Sequence, residues 1–276
     1  MDVRLRYANR TYYNFSMIPQ LFIDALKLAA PSWRPILIQG LEAMASADAE
    51  YLNTLSVDNF LPTQGRIFAA FSQSIEAVRF VLVGEGPYPR EASATGVCFM
   101  DGAVQSLWSE QGLSKQVNRA TSLRNFMKML LVAEGLVKPD ATGAEAMAVI
   151  SAKARAIGST FNQTLPQLEA KLIAQGFLLL NAALVFRAHV PPVKEAKAWR
   201  PLFQVVISAL AKHAKHQNQA LPTLVLWGKI ALWLEALEGI DAFPKLVSEH
   251  PYNLSFIQNT SMQRFFGPMR LLYSAS

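Results

Sequence analysis

The sequence predicts an α/β fold: a three-layer αβα arrangement around a central four-stranded parallel sheet, with a helical N-terminal extension. Two observations carry this. Four short apolar runs stand at wide intervals: Phe80-Val81-Leu82-Val83, Phe177-Leu178-Leu179-Leu180, Leu224-Val225-Leu226-Trp227 and Lys245-Leu246-Val247-Ser248. Helical patterns separate them, and strands alternating with helices pack as a parallel sheet covered on both faces. Taken in order, residues 1–50 read as mostly helical, broken at Pro19, Pro31 and Pro35, with Leu37, Leu41 and Met44 at helical apolar spacing. The segment Asn59-Phe60-Leu61-Pro62-Thr63 reads as a turn into an amphipathic stretch around Ile67, Phe68 and Phe71. The Ala-rich stretch from Ala144 to Ala156 reads as one exposed helix, and residues 214–222 as a polar connection. We therefore divide the chain into a helical extension, 1–50, and an α/β domain, 51–276.

Composition narrows the function classes. Of the 276 residues, 51% are apolar and 17% charged, which supplies a large core and excludes a disordered chain. The one cysteine, Cys98, excludes an internal disulfide framework and any Cys-rich metal or iron–sulfur site. The start, Met1-Asp2-Val3-Arg4-Leu5-Arg6-Tyr7, has no apolar signal-peptide core. The longest apolar runs, about ten residues, are too short to span a bilayer. The expectation is a cytoplasmic monomer with no membrane association, no metal and no cofactor. A net charge of +6 suits a polyanionic partner, without choosing between nucleic acid and an acidic surface.

What ends each strand matters more. The first run ends in Gly84-Glu85-Gly86-Pro87-Tyr88, the second in Asn181, the third in Gly228-Lys229 and the fourth in His250-Pro251. In open parallel sheets the carboxyl ends of the strands share one crevice, so these polar groups are expected to meet there.

Several of these segments resemble uracil-DNA glycosylases. The family pattern Gly-Gln-Asp-Pro-Tyr-His, leading to His-Gly-Leu-Cys-Phe, resembles Gly84-Glu85-Gly86-Pro87-Tyr88-Pro89 and Gly96-Val97-Cys98-Phe99. Ala120-Thr121-Ser122-Leu123-Arg124-Asn125 is similar to the phosphate-pinching segment. Leu178 to Leu184 is similar to the strand carrying the uracil-reading Asn, and Leu226-Trp227-Gly228 to a third strand end. His250-Pro251-Tyr252-Asn253-Leu254-Ser255 resembles the loop that enters the minor groove, and Arg264-Phe265-Phe266-Gly267 the run that follows it. The matches keep family order over roughly residues 50–275.

The resemblance implies a role for each position. A base buried in duplex DNA must be flipped into a pocket before it can be excised. Phe99 would stack on it. Asn181 would pair with O4 and N3–H of uracil and reject cytosine. Tyr88 would stand against C5 and exclude the thymine methyl. His250 would donate to O2 as negative charge develops there. Leu254 would fill the hole left by the flipped base, and Ser122 and Ser255 would bind phosphate. Lys115, Arg119, Arg124, Lys128, Arg187, Lys194, Lys197, Arg200 and Arg264 flank the expected crevice and could supply salt-sensitive backbone contacts. Tyr252 and Asn253 stand where the family has Ser-Pro, which implies an altered phosphate pinch. His189 reads as a surface or DNA-facing residue.

The departure with most consequence is at the catalytic acid. Gly86 stands where the family carries Asp, and Glu85 where it carries Gln. Glu85 is the one acidic side chain of the motif, so we read it as a relocated water-activating group acting with His250. Two alternatives stand beside this: a non-catalytic DNA-binding homologue that lost the acid, and a glycosylase for another modified base, since Pro89 and Thr95 replace family residues near the pocket.

Overall fold

The computed structural model describes residues 18–274. The part of the helical extension expected over residues 1–17 lies outside the described residues. In chain order the helices α1 (Gln20–Ala25), α2 (Arg34–Ala47) and α3 (Tyr51–Ser56) lead to strand β1 (Phe80–Gly84). A short hairpin follows, β2 (Trp108–Ser109) with β3 (Gly112–Leu113), then α4 (Lys115–Arg119), α5 (Thr121–Ala133), α6 (Ala144–Arg155) and α7 (Leu165–Ala174). The chain continues through β4 (Phe177–Asn181), α8 (Pro192–His216), β5 (Thr223–Trp227), α9 (Ile230–Leu234), β6 (Lys245–Ser248) and α10 (Thr260–Phe266). The four expected strands form one sheet in the order β4-β1-β5-β6, all parallel. The hairpin was not legible in the sequence, because strands of two residues show no apolar period.

Strand alternation builds the layers. Val81, Val83, Leu178, Leu180, Leu224 and Leu226 pack into one buried cluster with Phe22 of α1, Leu37 and Leu41 of α2, and Trp199, Phe203 and Val206 of α8. Their neighbours Leu82, Phe177, Leu179, Val225 and Trp227 face the other way, onto Phe126 and Leu130 of α5, Ile150 of α6, Leu168 of α7 and Phe266 of α10. Side chains two apart share a face, so five-residue apolar strands serve both cores. The helix α6 is not the exposed helix expected. Met147, Ile150, Ser151 and Ala154 are buried, and the helix packs on β3. Its many alanines gave a weak apolar stripe that nonetheless covers the hairpin.

A buried ionic network ties the N-terminal segment to the chain leaving β4. Arg187 is 7% exposed; its Nε donates to Glu195 Oε1 at 2.6 Å and its Nη1 to Asp58 Oδ2 at 3.1 Å. The Tyr51 hydroxyl donates to Glu195 Oε2 at 2.6 Å. This corrects the expectation that Arg187 faces a phosphate backbone: both of its anionic partners lie inside the protein. His189 is exposed and stands 3.2 Å from Asp58 Oδ2. Among the described residues, no helix is long and apolar enough to cross a membrane.

At the far end of α5 the chain turns at Glu134, whose side chain is 1% exposed, with Arg270 Nε at 3.7 Å. Burial pushes this carboxyl up to about 7 from 4.5. A negative charge at a helix C-terminus is also disfavoured by the helix dipole. The folded protein therefore keeps a proton that the unfolded chain has released. This stabilising contribution is present below the unfolded value and is lost as pH rises through the folded one. Glu134→Gln is expected to add on the order of 2 kcal/mol of stability at about pH 8 and almost none at about pH 5, read by denaturant titration. An equal gain at both pH values would show that the carboxylate charge is not the cause.

Candidate active site

The carboxyl edge of the sheet brings the motif segments together. Gly84 lies in register with Asn181 across the β1–β4 pair. A Cβ on Gly84 would stand 2.5 Å from Cys98 Sγ and 2.7 Å from Asn181 Oδ1, so only glycine allows the three segments to meet. Backbone bonds hold them: Ala182 N donates to Gly84 O at 2.8 Å, Ala183 N to Glu85 O at 3.1 Å, and Cys98 N to Leu179 O at 3.0 Å. On the other side, Gly228 turns the chain after β5 at φ 71° and lies against His250, whose Cβ would be 3.1 Å from a Cβ on this glycine. The result is a cavity of about 220 Å³ lined by Glu85, Gly86, Tyr88, Phe99, Ser122, Asn181, Trp227 and His250, among others. Six of the eight site residues expected from sequence line it. Leu254 and Ser255 do not.

Aromatic rings make one wall. Phe99 is half-buried and adopts φ 69°, a conformation a bulky side chain rarely takes. Its ring centroid lies 5.3 Å from that of Phe126 and 5.2 Å from that of Trp227, at steep interplanar angles. Tyr88 crosses over it, its hydroxyl donating to Phe99 O at 3.4 Å, and burial holds that phenol protonated. The Cys98 thiol beneath is fully buried and pushed up to about 12, so it packs and does not react.

Asn181 ends β4 at 4% exposure and opens onto the cavity. Its side-chain amide has no protein hydrogen-bond partner among the described residues. The amide opens onto the cavity, so it is free to pair with a ligand edge that offers both a donor and an acceptor. A planar heteroaromatic ring between Asn181 and Phe99 meets this requirement.

His250 faces Asn181 across the cavity. Its Nδ1 accepts from Tyr252 N at 3.1 Å, which assigns the hydrogen of the neutral ring to Nε2. Burial lowers its pKa from 6.5, and the nearby negative charge of Glu85 opposes that shift. Glu85 itself is exposed at the cavity mouth. Gly86 beside it has room: a Cβ there would meet nothing closer than Ala183 O at 3.8 Å.

The His250 loop is held from below by Asn125, a positioning residue to which the sequence reading gave no role. It is fully buried, and its Nδ2 donates to Pro251 O at 2.8 Å, with Tyr252 O and Asn253 O at 3.3 and 3.4 Å. The available signals were its place at the end of the Ala120–Asn125 segment and an amide among the apolar positions Leu123, Phe126 and Met127 of α5. The same helix starts at the cavity. Ala120 provides no side-chain cap, so the first-turn N–H groups around Ser122 are open to an anion. Lys115 and Arg119 are exposed just upstream, whereas Lys128 Nζ is engaged by Thr142 O at 2.7 Å. Leu254 is 69% exposed, not a core leucine, and Ser255 beside it is also exposed. Trp227 was recognised as a strand end but not as a cavity wall.

No family model matches the chain. Among curated relatives, uracil-DNA glycosylase of Corynebacterium glutamicum is 28% identical over 240 residues, spanning 86% of this chain and 83% of the relative. Uracil-DNA glycosylase of Amoebophilus asiaticus is 26% identical over 229 residues, spanning 80% and 83%. Among solved structures, the wild-type UNG crystal structure from Nitratifractor salsuginis superposes with a TM-score of 0.83 at 35% identity, over 93% of this chain and 98% of the other. Mimivirus uracil-DNA glycosylase, at 16% identity and a TM-score of 0.51 over 89% and 76%, shares the fold alone.

Two outcomes follow from the geometry. In an NMR titration His250 is expected to titrate below 6.5, and Glu85→Gln to lower it further by removing the opposing negative charge. An imidazole that Glu85→Gln leaves unmoved would place the carboxylate out of electrostatic reach. Asn125→Ala leaves three loop carbonyls without their donor. It is expected to cost about 1–3 kcal/mol of stability and to broaden the His250 resonances; sharp, unshifted resonances would mean the loop holds itself.

Proposed function

Because the chain belongs to the uracil-DNA glycosylase family, we propose that it flips uracil out of DNA and hydrolyses its N-glycosidic bond, slowly, with Glu85 serving where the family Asp is missing. The observation that carries this reading is that the Asn181 amide, free of protein partners among the described residues, lines the same cavity as Phe99 and His250, whose Nε2 carries the hydrogen. In this mechanism the uracil ring lies along Phe99, with O4 and N3–H on Asn181 and C5 toward Tyr88. The bond between N1 and the sugar C1′ breaks with its electron pair moving onto uracil, and His250 Nε2–H stabilises the charge developing on O2. The Glu85 carboxylate stabilises the sugar cation and takes a proton from the water that adds to C1′. Ser122, Ser255 and the open first turn of α5 grip phosphates, and Leu254 occupies the vacated stack.

Binding on this reading prefers uracil-containing DNA over undamaged duplex and weakens steeply with salt, since much of the affinity comes from phosphate contacts. The protein acts as a cytoplasmic monomer. From residue 18 onward, the described part of residues 1–50 serves as a helical brace on the α/β domain and contributes Phe22, Trp33 and Leu37 to the core.

The test is uracil release from single-stranded DNA. Wild type is expected to be slow but measurable. Glu85→Gln and His250→Ala should each lower the rate about 10²–10⁴-fold. Gly86→Asp should raise it, since the backbone leaves space for that side chain. Asn181→Asp should erode discrimination between uracil and cytosine. If Glu85→Gln matches wild type, the acid assignment is wrong. An inert wild type made active by Gly86→Asp would recast the protein as a base-binding relative that lacks the chemistry.

A further inference from the structure

Tyr252 is 67% exposed, and Leu254, two residues on, is 69% exposed. Single exposed apolar side chains are ordinary on a protein surface, but these two stand together beside the candidate site. These two share one loop, whose backbone is held by hydrogen bonds. Asn125 takes its carbonyls inward, Tyr252 N is spent on His250 Nδ1, and Asn253 N donates to His250 O at 2.9 Å. With the backbone pinned toward α5 and toward the imidazole, the Tyr252 ring is left exposed, two residues along the chain from His250, which lines the cavity. Leu254 alone suffices to plug a duplex after a base has left. A phenol ring beside it offers what a duplex does not need, a flat face for a base with no pairing partner.

We propose that Tyr252 is a stacking platform for the unpaired base next to the flipped uracil, and that it biases the enzyme toward single-stranded DNA. This rests on the uracil-DNA glycosylase reading above. Stacking on an aromatic side chain is sequence-tolerant, and one such base is worth roughly a ten-fold change in affinity. The hydrogen bond to His250 comes from the backbone of residue 252, so a side-chain substitution leaves it in place.

The experiment uses oligonucleotides carrying uracil beside 2-aminopurine, single-stranded or in duplex, with wild type, Tyr252→Phe, Tyr252→Ala and Leu254→Ala. Equilibrium binding is followed through 2-aminopurine fluorescence, with a non-hydrolysable uracil nucleotide, and uracil release is measured separately. Wild type and Tyr252→Phe should quench the fluorophore on the single strand. Tyr252→Ala should lose that quenching, bind the single strand about ten-fold more weakly, raise KM there, and change much less on duplex. Leu254→Ala should show the reverse preference. Equal losses on both substrates, or quenching that survives in Tyr252→Ala, would overturn the platform. If wild type binds and quenches but releases no uracil, catalysis fails while the platform stands. If wild type does not bind the single strand, the platform falls.

Discussion

The site depends on one close approach. At Gly84 the end of β1, the end of β4 and the loop carrying Phe99 come so near that a single methyl group would collide with both Cys98 Sγ and Asn181 Oδ1. Interiors this dense transmit any displacement to their neighbours. The contact sets the height of Asn181 relative to Phe99, and so the width of the slot between a polar edge and an aromatic face. The parallel register supplies the coarse alignment; the missing side chain supplies the last ångström.

A second linkage works at right angles to the sheet. Asn125 sits one turn into α5, whose first residues face the cavity, and its amide holds the loop that bears His250, Tyr252 and Leu254. The uncapped start of the helix and the position of the imidazole are thus joined through one buried side chain. On the proposed function, phosphate capture and base handling would need no moving lid to coordinate them, because the helix start and the His250 loop are fixed to the same helix. A neutral His250, with its Nδ1 occupied, is ready to donate before any ligand arrives, which is the preorganisation that makes such donors effective.

Much of this was legible in the sequence because the strands are short, continuous apolar runs and each ends on a residue of a different chemical kind. Gly84, Asn181, Gly228 and His250 could be placed at one edge from that pattern alone. What escaped was tertiary in origin. Asn125 closes a recognised segment, but its hold on the His250 loop shows only when the loop carbonyls are seen above it. Arg187 reads as a surface cation until Glu195 and Asp58 enclose it. Trp227 reads as the end of a strand, and the hairpin at Trp108 is too short to show any period. In each case the partner is far away in sequence, and no local pattern encodes it.

The replacement at Gly86 has a different standing from the other glycines of the site. Gly84 is required by space and Gly228 by its left-handed backbone, whereas Gly86 has open room around its Cα and no positive φ. Neither packing nor conformation asks for glycine there. The absence of a side chain is therefore a chemical feature of the site, not a cost of building it. It leaves Glu85 and His250 as the titratable pair at the cavity mouth, coupled closely enough for one to shift the other. On the proposed mechanism, a carboxylate in that position would stabilise positive charge developing at the sugar through its charge alone. Orienting a single water molecule demands a fixed side chain, which an exposed glutamate provides less well. The electrostatic part of the reaction is thus better supported by this architecture than the hydrolytic part, which argues for a site that binds and polarises its base more readily than it completes the cleavage.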